Sequence, residues 1–221
     1  GAGSFSSSSD VSVASGATWD LNGINDTVDS ISGAGVIQLD GALLAVDENS
    51  GSTRTYSGPI LGPGSFGKNG SHRLVLSGVN TFDGELSISA GTLEVSSTVN
   101  LGSSSANIVF FGGTLNTTSS IVNPRDITIG PFASATFDVD SFTTHTLQGS
   151  ISGDSTTTII KNGGGQLGTT ALSASQFTGD VVINAGTFDV GGSGDALANG
   201  TAVTVNSGGT FEVNNPENMG G

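Results

Sequence analysis

The chain has 221 residues with no Cys, one Met, one Trp and 36 Gly: enough for one sizeable domain, but far from the composition of an average globule. Five Lys and Arg against nineteen Asp and Glu leave a formal charge of −14 spread along the chain. That excludes a nucleic-acid partner held by clustered cations, whereas calcium, basic protein patches or simple solubility fit the sign. Ser, Thr, Gly, Asn, Val and Ile dominate over helix formers, which predicts an all-β fold with many short turns.

Taken from the N-terminus, residues 1–10 lack the basic start and apolar core of a signal peptide. The C-terminal NPENMGG resembles a linker end, so the chain reads as a processed or excised piece. No stretch approaches the ~18 apolar residues of a membrane helix, which argues against membrane insertion of this segment. The absence of Cys removes disulfide staples without fixing the compartment.

The first periodic elements are Val11-Ser12-Val13, a small-residue corner at Ala14-Ser15-Gly16, and Ala17-Thr18-Trp19-Asp20-Leu21. This last motif, small residue, Thr, large apolar, acid or Asn, recurs at Gly91–Val95, Gly113–Thr117, Ala135–Val139, Gly186–Val190 and Gly209–Val213. Thr92, Thr114 and Thr136 are 22 residues apart, and Thr187 and Thr210 are 23 apart. A constant period of that length is the signature of a solenoid coil. Period-two alternation sends Leu93 and Val95, or Phe188 and Val190, inward, and Thr92 and Glu94, or Thr187 and Asp189, outward.

A longer repeat is superposed. Gly58-Pro59-Ile60, Lys68-Asn69-Gly70, Leu76-Ser77, Phe82-Asp83-Gly84 and Ile88–Thr92 are echoed by Gly149-Ser150-Ile151, Lys161-Asn162-Gly163, Leu172-Ser173, Phe177-Thr178-Gly179 and Ile183–Thr187. Two duplicated units follow, about 56–126 and 147–217, within one domain spanning 1–221. A single coil cannot bury a core by itself, so coils must stack, with parallel strands about 4.8 Å apart. The predicted fold is a single-stranded right-handed parallel β-helix. A sandwich is the competing all-β fold, but it predicts strand spacings of roughly 8 to 12 residues without a long constant period.

The run Leu76-Ser77-Gly78-Val79-Asn80-Thr81-Phe82-Asp83-Gly84 to Gly91-Thr92-Leu93-Glu94-Val95, extended by Leu101-Gly102 and Gly112-Gly113-Thr114-Leu115, resembles the passenger-associated transport repeat of autotransporter (type V secretion) proteins. Phe177–Asp180, Gly186-Thr187-Phe188, Leu197–Gly200 and Gly208–Phe211 repeat it more loosely. The resemblance implies a passenger exported through the outer membrane, displayed at the cell surface and acting as an adhesin, aggregation factor or carrier, with no catalytic residues in the repeats. The signal peptide and C-terminal barrel of a full member are not in the sequence.

Candidate chemistry is sparse. Asp20, Glu94, Asp138, Asp189 and Glu212, with Asn116 in the same slot, are expected to form an acidic ladder that is either a solvated face or a weak Ca²⁺ site. Gly191–Leu197 is one residue short of a Ca²⁺-binding nonapeptide and reads as a turn. His72 and His145 are expected to be exposed or turn residues, not metal ligands. Lys68 and Lys161, each before Asn-Gly, suit turns. With no G-x-S-x-G elbow and few cations, a polysaccharide-degrading site is the weaker reading and no catalytic residue or cofactor is assigned. Trp19, Tyr56, Phe66, Phe110 and Phe111 are adhesive if exposed, although core stacking is the commoner role.

Asp40–Thr55 breaks the repeat and is expected to bulge as a partner-binding loop, with Asp47, Glu48, Arg54 and Tyr56 as contacts. The functional expectation is a non-catalytic extracellular scaffold or adhesin segment engaging other proteins, cell surface or matrix. The alternative is a filament subunit stacking end to end, since neither terminus shows a polar cap.

Overall fold

The computed structural model describes residues 4–48, 53–170, 176–191, 197 and 200–214. Within them every strand pair is parallel and joins one coil to the next, producing a β-solenoid with three faces per coil. The long face is a ten-stranded sheet: Asp10–Val13, Ser30–Gly33, Arg54–Tyr56, Arg73–Leu76, Thr92–Val95, Thr114–Thr117, Ser134–Val139, Thr158–Asn162, Asp180–Ile183 and Val203–Val205. The third face is a seven-stranded sheet running from Asp26–Val28 to Ile151–Ser152, extended by a single bridge from Gly153 to Phe177.

Between them in chain order lies the second face, and it is broken. Thr18–Asp20, Val36–Gln38 and Ile60–Leu61 form one sheet; Ile121–Asn123, Thr144–Leu147, Gln166–Thr169, Gly186–Gly191 and Gly209–Asn214 form another. The two intervening coils contribute no strand here and carry instead a short 3-10 turn at Thr98–Leu101. No helix among the described residues is long and apolar enough to cross a membrane.

The alternation read from the sequence sets the core. Leu93, Val95, Phe188 and Val190 are buried while Thr92, Glu94, Thr187 and Asp189 face outward in part. Identical slots stack into columns, such as Leu74–Leu93–Leu115–Phe137 on the long face and Leu44–Phe66–Leu86–Ile108–Ile127–Ile151 on the third. Each coil thereby covers the apolar face that its neighbour could not bury alone. Corners close by direct backbone contact. A Cβ on Gly58 would lie 1.8 Å from the Gly35 carbonyl oxygen, and one on Gly78 would lie 2.1 Å from that of Gly58, so this corner column admits only glycine.

The 22- and 23-residue spacings are coil lengths, but the six motif copies do not share a face. Thr92, Thr114 and Thr136 are in register on the long face, whereas Thr187 and Thr210 are in register on the second, as is Thr18 in its own sheet. The longer repeat shows why. Lys68 ends a third-face strand and Lys161 lies on the long face. Thirteen strand-sized steps separate the equivalent lysines, one more than four three-sided coils require. The second unit is therefore wound one face out of phase with the first.

Candidate interaction surface

Distribution of the motif copies over two faces dissolves the expected acidic ladder. Asp20, the Glu94–Asn116–Asp138 row and the Asp189–Glu212 pair occupy separate sheets. Glu94 pairs with Arg73, whose guanidinium also donates to Asn116 Oδ1 at 3.0 Å. Asn116 Nδ2 in turn donates to Asp138 O and Asp140 Oδ1 at 3.0 and 3.1 Å. Among the described residues no group of three or more His, Cys, Asp or Glu converges as metal ligands would. The glycine-rich stretch 192–196, like Leu172 and Ser173, lies outside those residues.

The expected loop contacts also change character. Tyr56 is wholly buried on the long face, its hydroxyl donating to Gly35 O at 2.7 Å, and burial pushes its pKa up to about 12. Glu48 is buried as well, 3.3 Å from Arg54 Nε, with its second oxygen unpartnered; desolvation raises its pKa against the pull of Arg54. Neither residue can meet a partner, because both fill the solenoid where the chain enters and leaves the insertion. Asp47, which accepts from Gly70 N at 3.0 Å, and Arg54, also 3.9 Å from Asp10, stay partly exposed. Residues 49–52 lie outside the description.

Buried cations and a buried imidazole were not foreseen. Lys68 and Lys161 stand in apolar columns, between Val46 and Ile88 and between Phe137 and Ile183, and have no exposed surface. Each ammonium curls into the adjoining corner and donates to three carbonyls: Asn69 O, Gly70 O and Ala90 O, or Asn162 O, Gly163 O and Ala185 O. Desolvation draws both pKa values down to about 8. The Asn-Gly turns were legible; that the lysine holds them from inside was not.

His145 corrects the expectation of exposure. It fills an apolar slot between Ile121 and Leu167, edge-on to Phe137, with neither ring nitrogen hydrogen-bonded, and burial lowers its pKa to about 3. His72 makes 3.3 Å contacts with Ser71 Oγ and Glu48 O. Of the aromatics proposed as adhesive, Tyr56, Phe66 and Phe110 are core, Trp19 is half-buried against Phe5, and Phe111 is exposed.

The break in the second face is the most distinctive surface. Three Val-Asn pairs, Val79-Asn80, Val99-Asn100 and Val122-Asn123, recur in consecutive coils with Asn inward and Val outward. Asn80 Oδ1 accepts from Ile60 N at 2.9 Å and its Nδ2 donates to Asn100 O at 2.6 Å; Asn100 Nδ2 donates to Gly78 O at 2.8 Å. These amides replace the missing ladder bonds, as buried backbone groups require. Arg125 completes the span, donating to Thr98 O, Gly102 O and Ser103 O and to Thr98 Oγ1. Over this scaffold lies a largely apolar depression of about 370 Å³, walled by the exposed Val79, Val99 and Val122. The Val-Asn dipeptides of these three coils were not singled out from the sequence, where the same dipeptide also occurs at Val205-Asn206 and Val213-Asn214.

A family described as Passenger-associated-transport-repeat matches residues 66–95 and 159–190. The first match starts on the third face and the second on the long face, each crossing two coils. The protein named Adhesin BmaC autotransporter, from Brucella suis biovar 1 (strain 1330), is 38% identical over 99 residues, which is 45% of this chain and 3% of that protein. The chain thus spans a small fraction of that relative's length. No solved structure matches. With its repeats folded as stacked coils, the chain carries two stretches that match the passenger-associated transport repeat and is similar over 99 residues to an autotransporter adhesin.

Proposed function

We propose that the segment is a non-catalytic adhesive scaffold, displayed outside the bacterial cell, that holds binding surfaces along a rigid rod and contacts host-cell or matrix components with them. The observation that carries this reading is the similarity to an autotransporter adhesin across 99 residues of a chain folded as a solenoid. Apolar side chains at the second-face depression give it an area of surface chemistry unlike that of an all-polar spacer. The two histidines support a non-enzymatic role, since one is entombed and the other faces a hydroxyl and a backbone carbonyl.

Latex beads coated with the purified chain and offered to cultured epithelial cells and to matrix-coated wells test it. Adherence above albumin-coated beads, competed away by free chain, is the expected result. Adherence equal to albumin would contradict the adhesive reading. Light scattering on the same preparation, rising with concentration into fibres, would favour end-to-end assembly over adhesion.

A further inference from the structure

One corner turn between the long and second faces occurs three times in the same form. Ala17 N donates to Ala14 O, Thr143 N to Asp140 O and Gly209 N to Asn206 O, and the second residue is Ser each time. The third residue has φ of +83° at Gly16, +67° at Phe142 and +92° at Gly208. Glycine adopts that conformation freely, whereas a side chain there is strained. Phe142 returns nothing to the fold for it, because its ring stands wholly in water. Single exposed apolar residues are ordinary; a phenyl ring held at a glycine position by a strained backbone is not.

Beside that ring lies a concavity of about 330 Å³, lined by Thr143, Thr144, Gly164, Gly165, Gln166 and Thr187. Thr144, Gln166 and Thr187 are in register, one per coil, so they form a row with a step of about 4.8 Å. Gln166 Nε2 is held by Asp189 Oδ2 at 3.1 Å, which fixes the side chain and leaves its carbonyl oxygen as an acceptor. Among the described residues the hydroxyls of Thr144 and Thr187 have no partner, while that of Thr143 is spent on Asp140 O at 2.7 Å. An aromatic wall beside a row of neutral donors and acceptors, in a chain of net charge −14, suits a ligand that is polyhydroxylated, uncharged and flat-faced.

We infer that this concavity binds a neutral saccharide. The phenyl ring of Phe142 stacks on the C–H face of one pyranose, and the Thr144–Gln166–Thr187 row hydrogen-bonds hydroxyls of that unit and the next along the rod. The inference rests on the adhesive reading for its biological sense and gives it a ligand class.

The test is a titration of the ¹⁵N-labelled chain with chitotetraose, cellotetraose, mannotetraose and lacto-N-neotetraose, with a heparin tetrasaccharide as the anionic control, on wild type and Phe142→Gly. At least one neutral sugar is expected to shift amides at 142–144 and 164–166, heparin is not, and Phe142→Gly is expected to weaken binding at least tenfold. Because glycine relieves the strain, that variant should unfold no earlier than wild type, so lost binding is not lost folding. Absence of shifts with every sugar, shifts confined to other faces, or affinity unchanged in Phe142→Gly would overturn the site. Bead adherence of the same variant separates the two proposals. Adherence lost with no sugar bound would overturn the saccharide in favour of a protein contact, and sugar binding by a chain whose beads never adhere would overturn the adhesive reading alone.

Discussion

Replacing His145 with Leu should stabilise the protein. The slot is apolar above and below, at Ile121 and Leu167, and the ring leaves two buried nitrogens without partners. Buried unsatisfied polar groups cost about 1–3 kcal/mol, so His145→Leu, similar in size, should gain roughly that amount at pH 7. Acid widens the gap. The folded protein holds this imidazole neutral down to about pH 3, while the unfolded chain protonates near 6.5. Between those values the unfolded state binds more protons, so stability falls as pH drops, by about 1.4 kcal/mol per unit, or roughly 2 kcal/mol between pH 6.5 and 5. Urea unfolding of both proteins at pH 7 and pH 5 measures the gain and its growth. A variant less stable than wild type at pH 7, or a gap that stays constant with pH, would refute the burial of a neutral, unpaired ring.

Lys68→Met and Lys161→Met each strand three corner carbonyls and should each lose about 3 kcal/mol by urea unfolding. With folded pKa values near 8 against about 10.4 unfolded, the wild type should gain stability as pH rises from 8 to 10, and each variant should gain less. Gly58→Ala forces a Cβ into the Gly35 carbonyl and should abolish folding or lower the thermal midpoint by more than 10 °C, as circular dichroism would show. Arg125→Met, which unpairs three carbonyls under the second-face gap, should speed amide exchange in 96–104 selectively. Since the acids lie on separate faces, millimolar Ca²⁺ should leave the thermal midpoint unchanged; a rise of several degrees would show a site.

Much of the coil was legible because its physics is local. Alternation in Thr92–Val95 or Thr187–Val190 dictates which side chains enter the core, and the 22- and 23-residue spacings measure one turn of the solenoid. The phase of the coil was not legible. Equivalent lysines look alike in sequence, yet a single extra face between them puts one on the third sheet and the other on the long one. Residue type misled at three places: His145, Lys68 and Tyr56 carry polar groups that sequence patterns assign to surfaces or turns. Each is buried because its column neighbours demand bulk there, and for the last two a carbonyl waits at the end of the side chain. Phe142 was invisible for the opposite reason, since only the turn geometry reveals that an aromatic occupies a glycine's place.

One distance tests directly whether the chain is a rod of stacked coils. The chain has no native cysteine, so Ser12→Cys and Thr204→Cys, both exposed on the first and last strands of the long face, can carry paired spin labels. Nine parallel steps separate those strands in the ten-stranded sheet, which predicts a narrow electron–electron distance distribution centred at about 43 Å. A maximum below roughly 30 Å, as in a two-sheet sandwich with a core about 10 Å thick, would contradict the solenoid and everything built upon its faces.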